Sequence, residues 1–152
     1  MKMNENFFIS KAIDPLPYES KWEAPSNIAI IKYWGKKKLQ IPKNPSLSFT
    51  LDKSVTRTSI RFEPSNSGKF KFKFFFNGSF KPDFDDKLHV FFDRIKKYVC
   101  WITNYELTIK SINTFPHSSG IASSASAMAA LSLAIMDLES YLFNFEKNDF
   151  FF

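Results

Sequence analysis

The stretch FPHSSGIASSASAMAAL, residues 115–131, consists largely of small side chains around one glycine. It contains no lysine, and no acidic residue occurs between Lys110 and Met136. A backbone with such small side chains can approach a ligand closely. Where a loop leads into a helix, the free N–H groups of the first turn and the positive end of the helix dipole bind phosphate. The stretch is therefore a candidate phosphate-binding loop.

Hydroxyl groups at the start of the expected helix add a second property. Ser123 and Ser124 can give a phosphate a hydrogen bond or give a magnesium ion an oxygen ligand. Gly120, Ala122 and Ala125 leave room for that approach. The Gly-Lys-Ser/Thr of the common P-loop is missing. The local pattern leaves two alternatives open, a phosphate loop or a tightly packed small-residue helix with an ordinary serine cap.

A run of lysines without acids forms a second candidate region. No acid occurs between Glu23 and Asp52, and the lysine window inside that range contains Lys32, Lys36, Lys37, Lys38 and Lys43. The whole chain has 21 basic and 15 acidic residues, a net charge of +6. This balance favours an anionic partner without identifying it. A solvated basic loop is the alternative interpretation of the window.

Length and cysteine content narrow the class of protein. The chain has 152 residues, which suits a single domain with a real core. One cysteine, Cys100, excludes an internal disulfide framework and fits a reducing, cytoplasmic location, and we expect it to be a buried structural thiol. The opening residues MKMNENFFIS resemble no signal peptide. No stretch approaches the ~20 apolar residues of a membrane span, so we expect no membrane partner.

Hydrophobic periodicity predicts alternating types of secondary structure. Period-two alternation indicates strands, and the spacing of apolar residues after Asp83 indicates a helix with an acidic first turn. The order β-β-β-β-α-β-α predicts an α+β fold, a mixed sheet with helices packed on it. The expected elements are strands at 19–24 (interrupted by Pro25), 46–51, 55–62 and 69–76, a turn at Asn77-Gly78, a helix from 84 to 99, a strand at 105–112 and a helix at 123–138.

Two motifs carry a resemblance to known proteins. Pro116-x-x-x-Gly120-Ile121-x-Ser123-Ser124-Ala125-Ser126 resembles the phosphate-binding loop of the GHMP kinase superfamily. APSNIAIIKYWGKK (24–37), followed by IPKNPSLSFTL (41–51), is similar to the diphosphomevalonate decarboxylase family within it. Both motifs stand in the family's order and spacing. The resemblance runs from about Lys21 to Leu138 but covers only about the first half of such an enzyme.

The resemblance implies an isoprenoid-pathway enzyme. ATP phosphorylates the tertiary 3-hydroxyl of mevalonate 5-diphosphate, and loss of phosphate and carbon dioxide then gives isopentenyl diphosphate. The implied ligands are this diphosphate substrate, ATP and Mg²⁺, with no nucleic acid, and a homodimer would suit the full-length enzyme. Residues 1–152 would form a single, incomplete GHMP-type N-terminal domain, with the C-terminal domain outside the chain.

Matching the family's motifs residue by residue gives the expected site. Lys32 would be the catalytic residue, placed near the reacting hydroxyl to stabilise developing charge. The substrate would be bound by Asn27, Tyr33, Trp34, Gly35, Lys36 and Lys87. The ATP phosphates would be bound by His117, Ser118, Ser119, Gly120, Ile121, Ala122, Ser123 and Ser124, with Ser124 also contacting Mg²⁺.

Some of these assignments have plain structural alternatives. Lys32 would otherwise be a surface lysine at a strand end, and Lys87 an exposed lysine in the first turn of a helix. His117 is more typical of a tolerated loop residue than of an acid–base catalyst. The family's catalytic aspartate and its Gly-Ser-Gly-Ser-Ala-Cys-Arg-Ser loop do not occur in the 152 residues. We therefore expect a truncated gene product or fragment that is inactive alone.

Two other functions compete with the decarboxylase. A mevalonate or phosphomevalonate kinase-like relative would phosphorylate without decarboxylating. A small basic module that binds nucleic acid is suggested by KFKFKFFF, residues 69–76, because aromatic rings can stack on bases between phosphate contacts. Strict alternation, however, places Phe and Lys on opposite faces of a strand, as any half-buried strand requires.

Overall fold

The computed structural model describes residues 13–38, 41–67, 69–116 and 119–144. Five strands form one mixed sheet in the order β1-β2-β5-β3-β4, and two α-helices pack on it. The predicted α+β class is confirmed. The elements are β1 (Tyr18–Ile31), β2 (Leu47–Pro64), β3 (Lys71–Phe76), β4 (Ser79–Phe80), a 3₁₀ turn (Pro82–Phe84), α1 (Asp85–Ile95), a 3₁₀ segment (Cys100–Asn104), β5 (Tyr105–Asn113) and α2 (Ser123–Phe143).

The sheet combines antiparallel and parallel pairs. β1 pairs with β2 and β2 with β5, both antiparallel, whereas β3 runs parallel to β5. The chain reaches β5 from β3 through β4 and α1, as a parallel pair requires a long crossover. Asn77 and Gly78 turn the chain between β3 and β4 with φ of 48° and 79°, which confirms the predicted turn.

One face of the sheet carries the core. Along β2, the side chains of Thr56, Thr58, Ile60 and Phe62 are buried. Arg57 and Arg61 are exposed on the other face of the sheet, as the alternation predicted. β5 repeats the pattern. Both helices cover this face and bury a continuous cluster that includes Phe74, Leu88, Phe92, Trp101, Tyr105, Leu107, Ile109, Leu131, Ile135 and Leu138.

The opposite face of the sheet is polar and lies open. Ion pairs cross or follow its strands, including Arg57–Glu23 at 3.0 Å and Lys73–Glu106 at 3.7 Å. On β3 the lysines point to this face, while Phe70, Phe72, Phe74 and Phe76 belong to the core or pack against it. These four rings are therefore not available for base stacking. Phe75 alone of the stretch faces the lysine side, where it contacts the ring of Phe80, so the aromatic argument for nucleic-acid binding is weakened.

The two longest strands differ from their predicted boundaries. β1 continues through Pro25, where an end was predicted, because β1 is an edge strand and proline there removes no sheet hydrogen bond. β2 joins the two strands predicted at 46–51 and 55–62. Pro25 pairs with Val55 but Ser26 pairs with Leu51, so residues 52–54 form a bulge at the same point.

Two helix boundaries also shift. α1 ends at Ile95, so the predicted extension to residue 99 lies in the turn before the 3₁₀ segment. α2 continues to Phe143, beyond the predicted end at residue 138. Cys100 is exposed, and the expectation of a buried thiol is wrong, because the 3₁₀ segment instead turns Trp101 and Ile102 into the core.

α2 corrects the expectation that no stretch of the chain approaches the length and apolarity of a membrane span. By length and composition alone it is long and apolar enough to cross a membrane, the one such helix in the described ranges. Its apolar character has a structural explanation in this fold. Ala130, Leu131, Ala134, Ile135 and Leu138 are all buried, and the helix packs on β1 and β2.

Beyond the bulge, β1 and β2 form an apolar arm, defined here as residues 27–31 and 47–51. Ile28 pairs with Phe49 and Ile31 with Leu47, and all four side chains are exposed. The arm carries the lysine window at its end. Clustered exposed apolar side chains promote association, so the chain by itself is expected to be poorly soluble.

Candidate functional site

The first turn of α2 presents backbone N–H groups without a capping side chain. Ala122 precedes the helix, and no side chain bonds the free end. The N–H groups of Ala125 and Ser126 donate to the Ala122 carbonyl at 3.0 and 3.2 Å. Within the described ranges, no acceptor bonds the N–H of Ser123 or Ser124. The serine-cap alternative is therefore wrong, and this helix end is available to an anion.

The loop before α2 adopts backbone conformations that favour anion binding. Gly120 has φ of 81° and Ala122 has φ of 21°, both on the positive side. A Cβ built on Gly120 would meet no atom within 4 Å, so the residue borders open space. Successive N–H groups in such turns form concave anion sites. Ser119, Gly120 and Ser124 are exposed, whereas His117 and Ser118 lie outside the described residues.

Buried hydroxyl groups hold this loop against the sheet. Ser26 on β1 donates to the Ile121 carbonyl at 2.6 Å, and Thr56 on β2 contacts the Ser126 hydroxyl at 2.7 Å. Thr56 also donates to the Asn113 side chain at 2.9 Å. Ser26 and Thr56 are both fully buried. The sequence motifs left these residues unassigned, and their only signal was a hydroxyl on the core face of a strand.

At its far end, α2 is attached to β1 through a carboxylate. Asp137 accepts hydrogen bonds from Tyr18 at 3.1 Å and from Ser20 at 2.8 Å. Burial, followed by the nearby Asp137 charge, raises the pKa of Tyr18 to about 12. Two residues further along the helix, Glu139 accepts a hydrogen bond from Trp101 at 3.2 Å, and burial raises the pKa of that carboxyl. These bonds fix the direction in which the helix points its N-terminus.

The lysine window forms a compact loop around Asn44. The Asn44 side chain accepts from the Trp34 N–H at 2.8 Å and donates to the Lys32 carbonyl at 3.4 Å. The Lys43 N–H donates to the Gly35 carbonyl at 3.2 Å, and Gly35 has φ of 85°. Asn44 thus positions the backbone of predicted site residues, although it was not predicted as one itself.

The predicted substrate residues lie along this loop. Lys32, Tyr33, Trp34 and Lys36 are all exposed, and the Trp34 side chain is 83% exposed. The Lys36 ammonium lies 5.8 Å from the centre of the Tyr33 ring. Asn27 is half-buried on β1, next to Ser26. The arrangement gathers positive charge and one indole ring on an open surface.

Lys87 stands apart from the other predicted substrate residues. A cavity of about 90 Å³ lies between α1, β3, β5 and the start of α2, and Lys87 lines it together with Ser123 and Ser124. Phe76, Phe84 and Ser111 also border this cavity, and none of its lining residues comes from the lysine window. Lys87 is therefore placed on the side of the loop before α2.

The two predicted ends of the site meet β1 at different points. The loop contacts β1 at Ser26, while Lys32 follows the end of β1 at Ile31. Six residues of strand correspond to roughly 20 Å. A common cleft bordered by Gly120, Lys32 and Lys36 remains a prediction.

The described residues offer single oxygen ligands for a metal ion rather than a cluster of ligands. Among them, no group of three or more His, Cys, Asp or Glu side chains is close enough to form a metal site. Mg²⁺ in phosphate-transfer sites is commonly held by one or two protein oxygens together with substrate phosphates and water. The exposed Ser124 hydroxyl fits that role, and a protein cage does not.

A known protein family matches the part of the chain that contains both motifs. The model of the diphosphomevalonate decarboxylase-like N-terminal domain matches residues 24–149. The chain belongs to this family. The match includes both the loop before α2 and the lysine window, so the two candidate regions are parts of one family domain.

Individual members of the diphosphomevalonate decarboxylase family show the extent of the similarity. The diphosphomevalonate decarboxylase of Ganoderma lucidum is 37% identical over 137 residues, covering 80% of this chain and 33% of the relative. The crystal structure of the Staphylococcus aureus enzyme is 36% identical, with a TM-score of 0.66 over 79% of this chain and 36% of that chain. A solved complex of MDDEF with MVAPP, AMPPCP and magnesium is 33% identical, with a TM-score of 0.64 over the same 79% and 36%.

The coverage defines what part of a family enzyme is present. The chain spans about a third of the length of the curated relatives that it matches. Activity, substrates and partners of a whole enzyme are therefore matters for proposal.

Proposed function

We propose that this chain supplies the ATP-phosphate loop and the diphosphate-binding window of an enzyme that decarboxylates mevalonate 5-diphosphate to isopentenyl diphosphate, using ATP. The observation that carries the proposal is the uncapped first turn of α2, held by Ser26 to the strand that leads into the lysine window. The family relationship supports it, because the similar curated relatives are diphosphomevalonate decarboxylases.

The loop end of the site suits the phosphates of ATP. The N–H groups of Ser123 and Ser124 would donate to phosphate oxygens, and the helix dipole adds a favourable positive potential. The Ser124 hydroxyl would hold Mg²⁺, which when bound neutralises charge on the polyphosphate. A similar solved complex with AMPPCP and magnesium supports this assignment. Lys87, which lines the same cavity as Ser124, would add a cation near these phosphates.

The lysine window suits the second polyphosphate. Two polyphosphates in one cleft repel each other, and fixed cations offset that repulsion. Lys36, Asn27 and the backbone around Gly35 would bind the substrate diphosphate, with Tyr33 and Trp34 beside it. Lys32 would stabilise the charge that develops on the 3-oxygen as its proton passes to the aspartate that serves the family as a base. As the bond from this oxygen to the γ-phosphorus forms, the bond from that phosphorus to ADP breaks and ADP leaves. Departure of phosphate and cleavage of the bond to the carboxylate then release carbon dioxide and leave the alkene.

Binding measurements on the chain can test the two ends separately. A fluorescent ATP analogue with Mg²⁺ reports the loop, and quenching of the exposed Trp34 by mevalonate 5-diphosphate reports the window. Ser124→Ala should weaken the nucleotide and spare the diphosphate, and Lys36→Ala should do the reverse. Ser132→Ala on the same helix and Lys71→Ala on the open sheet face are matched controls. The opposite pattern would show that the two ends are assigned wrongly.

The kinase-like alternative differs in one product. The longest polypeptide that contains these 152 residues should release ADP and labelled carbon dioxide in equal amounts from ATP and carboxyl-labelled mevalonate 5-diphosphate. ADP without carbon dioxide would favour a kinase. A salt-dependent gel shift with the same preparation would instead support the nucleic-acid alternative.

A further inference from the structure

A hydrogen bond from β1 fixes the orientation of the peptide group between Ile121 and Ala122. The Ser26 hydroxyl, buried on β1, donates to the Ile121 carbonyl at 2.6 Å. The described residues contain no cis peptide bond. In a trans peptide the carbonyl and the following N–H point in opposite directions. The Ala122 N–H therefore points away from β1, and within the described ranges no acceptor bonds it.

The same peptide unit leads into a strained residue. Ala122 has φ of 21° and ψ of 42°, a conformation that costs an L-residue free energy. Its own carbonyl accepts from two N–H groups of the first helical turn, Ala125 and Ser126. Ala122 is thus held from the helix on one side and, through the Ile121 carbonyl, from Ser26 on the other. Without the Ser26 bond, the peptide is free to rotate toward a relaxed conformation.

We infer that Ser26 is a positioning residue for phosphate binding. Its hydroxyl fixes the 121–122 peptide so that the Ala122 N–H faces the anion together with the N–H groups of Ser123 and Ser124. The inference rests on the proposed function, in which this loop binds phosphate. It assigns to Ser26 an orienting role that acts through a backbone amide, without contact between Ser26 and the ligand.

A second serine on the same strand provides a matched control. Ser20 is also buried on β1, and its hydroxyl also connects the strand to α2, by donating to Asp137 at 2.8 Å. Ser20 touches neither the loop nor the first turn of the helix. Ser20→Ala and Ser26→Ala therefore each remove one buried hydrogen bond between β1 and the α2 region, and only one of them frees the loop peptide.

The decisive measurement uses inorganic triphosphate. With Mg²⁺ present, triphosphate displaces a fluorescent ATP analogue from the chain, and its apparent Kd reports the phosphate contacts alone. Ser26→Ala should weaken triphosphate between about 2-fold and 12-fold, the range for one neutral hydrogen bond. Ser20→Ala should leave the Kd unchanged even if it lowers the melting temperature more. Ser26→Thr, which keeps the hydroxyl, should restore most of the affinity.

The other possible results distinguish the role of Ser26 from the phosphate-binding role of the loop. If wild-type chain binds triphosphate and Ser26→Ala binds it equally well, the orienting role is overturned and the phosphate loop stands. If the wild-type chain binds none, the phosphate loop fails and the inference fails with it. Should Ser26→Ala not fold, the Ala122 amide signal in the wild-type NMR spectrum decides: a shift on adding triphosphate supports the role, and no shift overturns it.

Discussion

Replacing Gly120 with alanine tests whether the loop conformation serves the ligand. Gly120 has φ of 81°, and an added Cβ would meet no atom within 4 Å, so no steric clash contributes. The remaining effect is the backbone preference against the left-handed region, about 1–2 kcal/mol for an L-residue. Because the residue is exposed and packs against nothing nearby, the free loop can relax without loosening the core. Binding must then restore the original conformation.

The expected result is a loss of affinity with little loss of stability. At 1.4 kcal/mol for each factor of ten, the preference corresponds to about 5-fold to 30-fold weaker binding of ATP. Titration of a fluorescent ATP analogue measures the affinity, and thermal denaturation followed by circular dichroism measures stability. The melting temperature of Gly120→Ala should stay close to that of the wild type.

Gly78 offers a control with the same intrinsic strain. Its φ is 79°, and a Cβ there would also meet nothing within 4 Å, but it lies in the turn between β3 and β4. Gly78→Ala should therefore leave ATP affinity unchanged and lower the stability of the hairpin. Equal ATP affinity in Gly120→Ala and Gly78→Ala would refute the claim that nucleotide binding uses the Gly120 conformation.

Three further outcomes are expected. Burial raises the pKa of Glu139, so the free energy of unfolding of the wild type should fall as pH rises through that raised pKa. Denaturation measured from pH 4 to 8 should show a flatter pH dependence for Glu139→Gln and a higher stability of this variant at pH 7. An unchanged slope would contradict this prediction. Tyr18→Phe should lower the free energy of unfolding in urea by about 1–2 kcal/mol through loss of the bond to Asp137, whereas an unchanged midpoint would remove that bond from the account of how α2 is held. The chain alone should release neither ADP nor carbon dioxide from ATP and mevalonate 5-diphosphate above background, since a missing positioned base typically lowers rates by about 10²–10⁴-fold, and turnover would reveal a base within these residues.

Regular alternation made much of the sheet predictable. Along β2, hydroxyl and apolar side chains alternate with arginines, and this period alone identifies the face that the helices cover. The loop before α2 was equally visible, because small side chains and the lack of acids describe a ligand-facing backbone without tertiary information. Such features are local, and local chemistry can be inferred from neighbouring residues.

Features that depend on distant partners were not predictable in the same way. Pro25 predicts a strand end locally, but its position on the sheet edge makes proline harmless there. Ser26 is one hydroxyl among many until the fold brings Ile121, which is 95 residues away in sequence, within 2.6 Å. Cys100 was assigned to the core from its residue type, whereas the adjacent Trp101 and Ile102 occupy that space.

The bulge shared by β1 and β2 divides one ladder into two parts, which we expect to open separately. Residues 56–62 of β2 pair within the core, so their amide protons should exchange with solvent only through global unfolding. The pairs in the apolar arm, such as Ile28 with Phe49, are flanked by exposed side chains and should exchange through cheaper local openings. Ser26 is the first residue beyond the division. We therefore expect the lysine window to change its position with the arm, while the Ser26 bond to Ile121 holds the loop before α2 at the division.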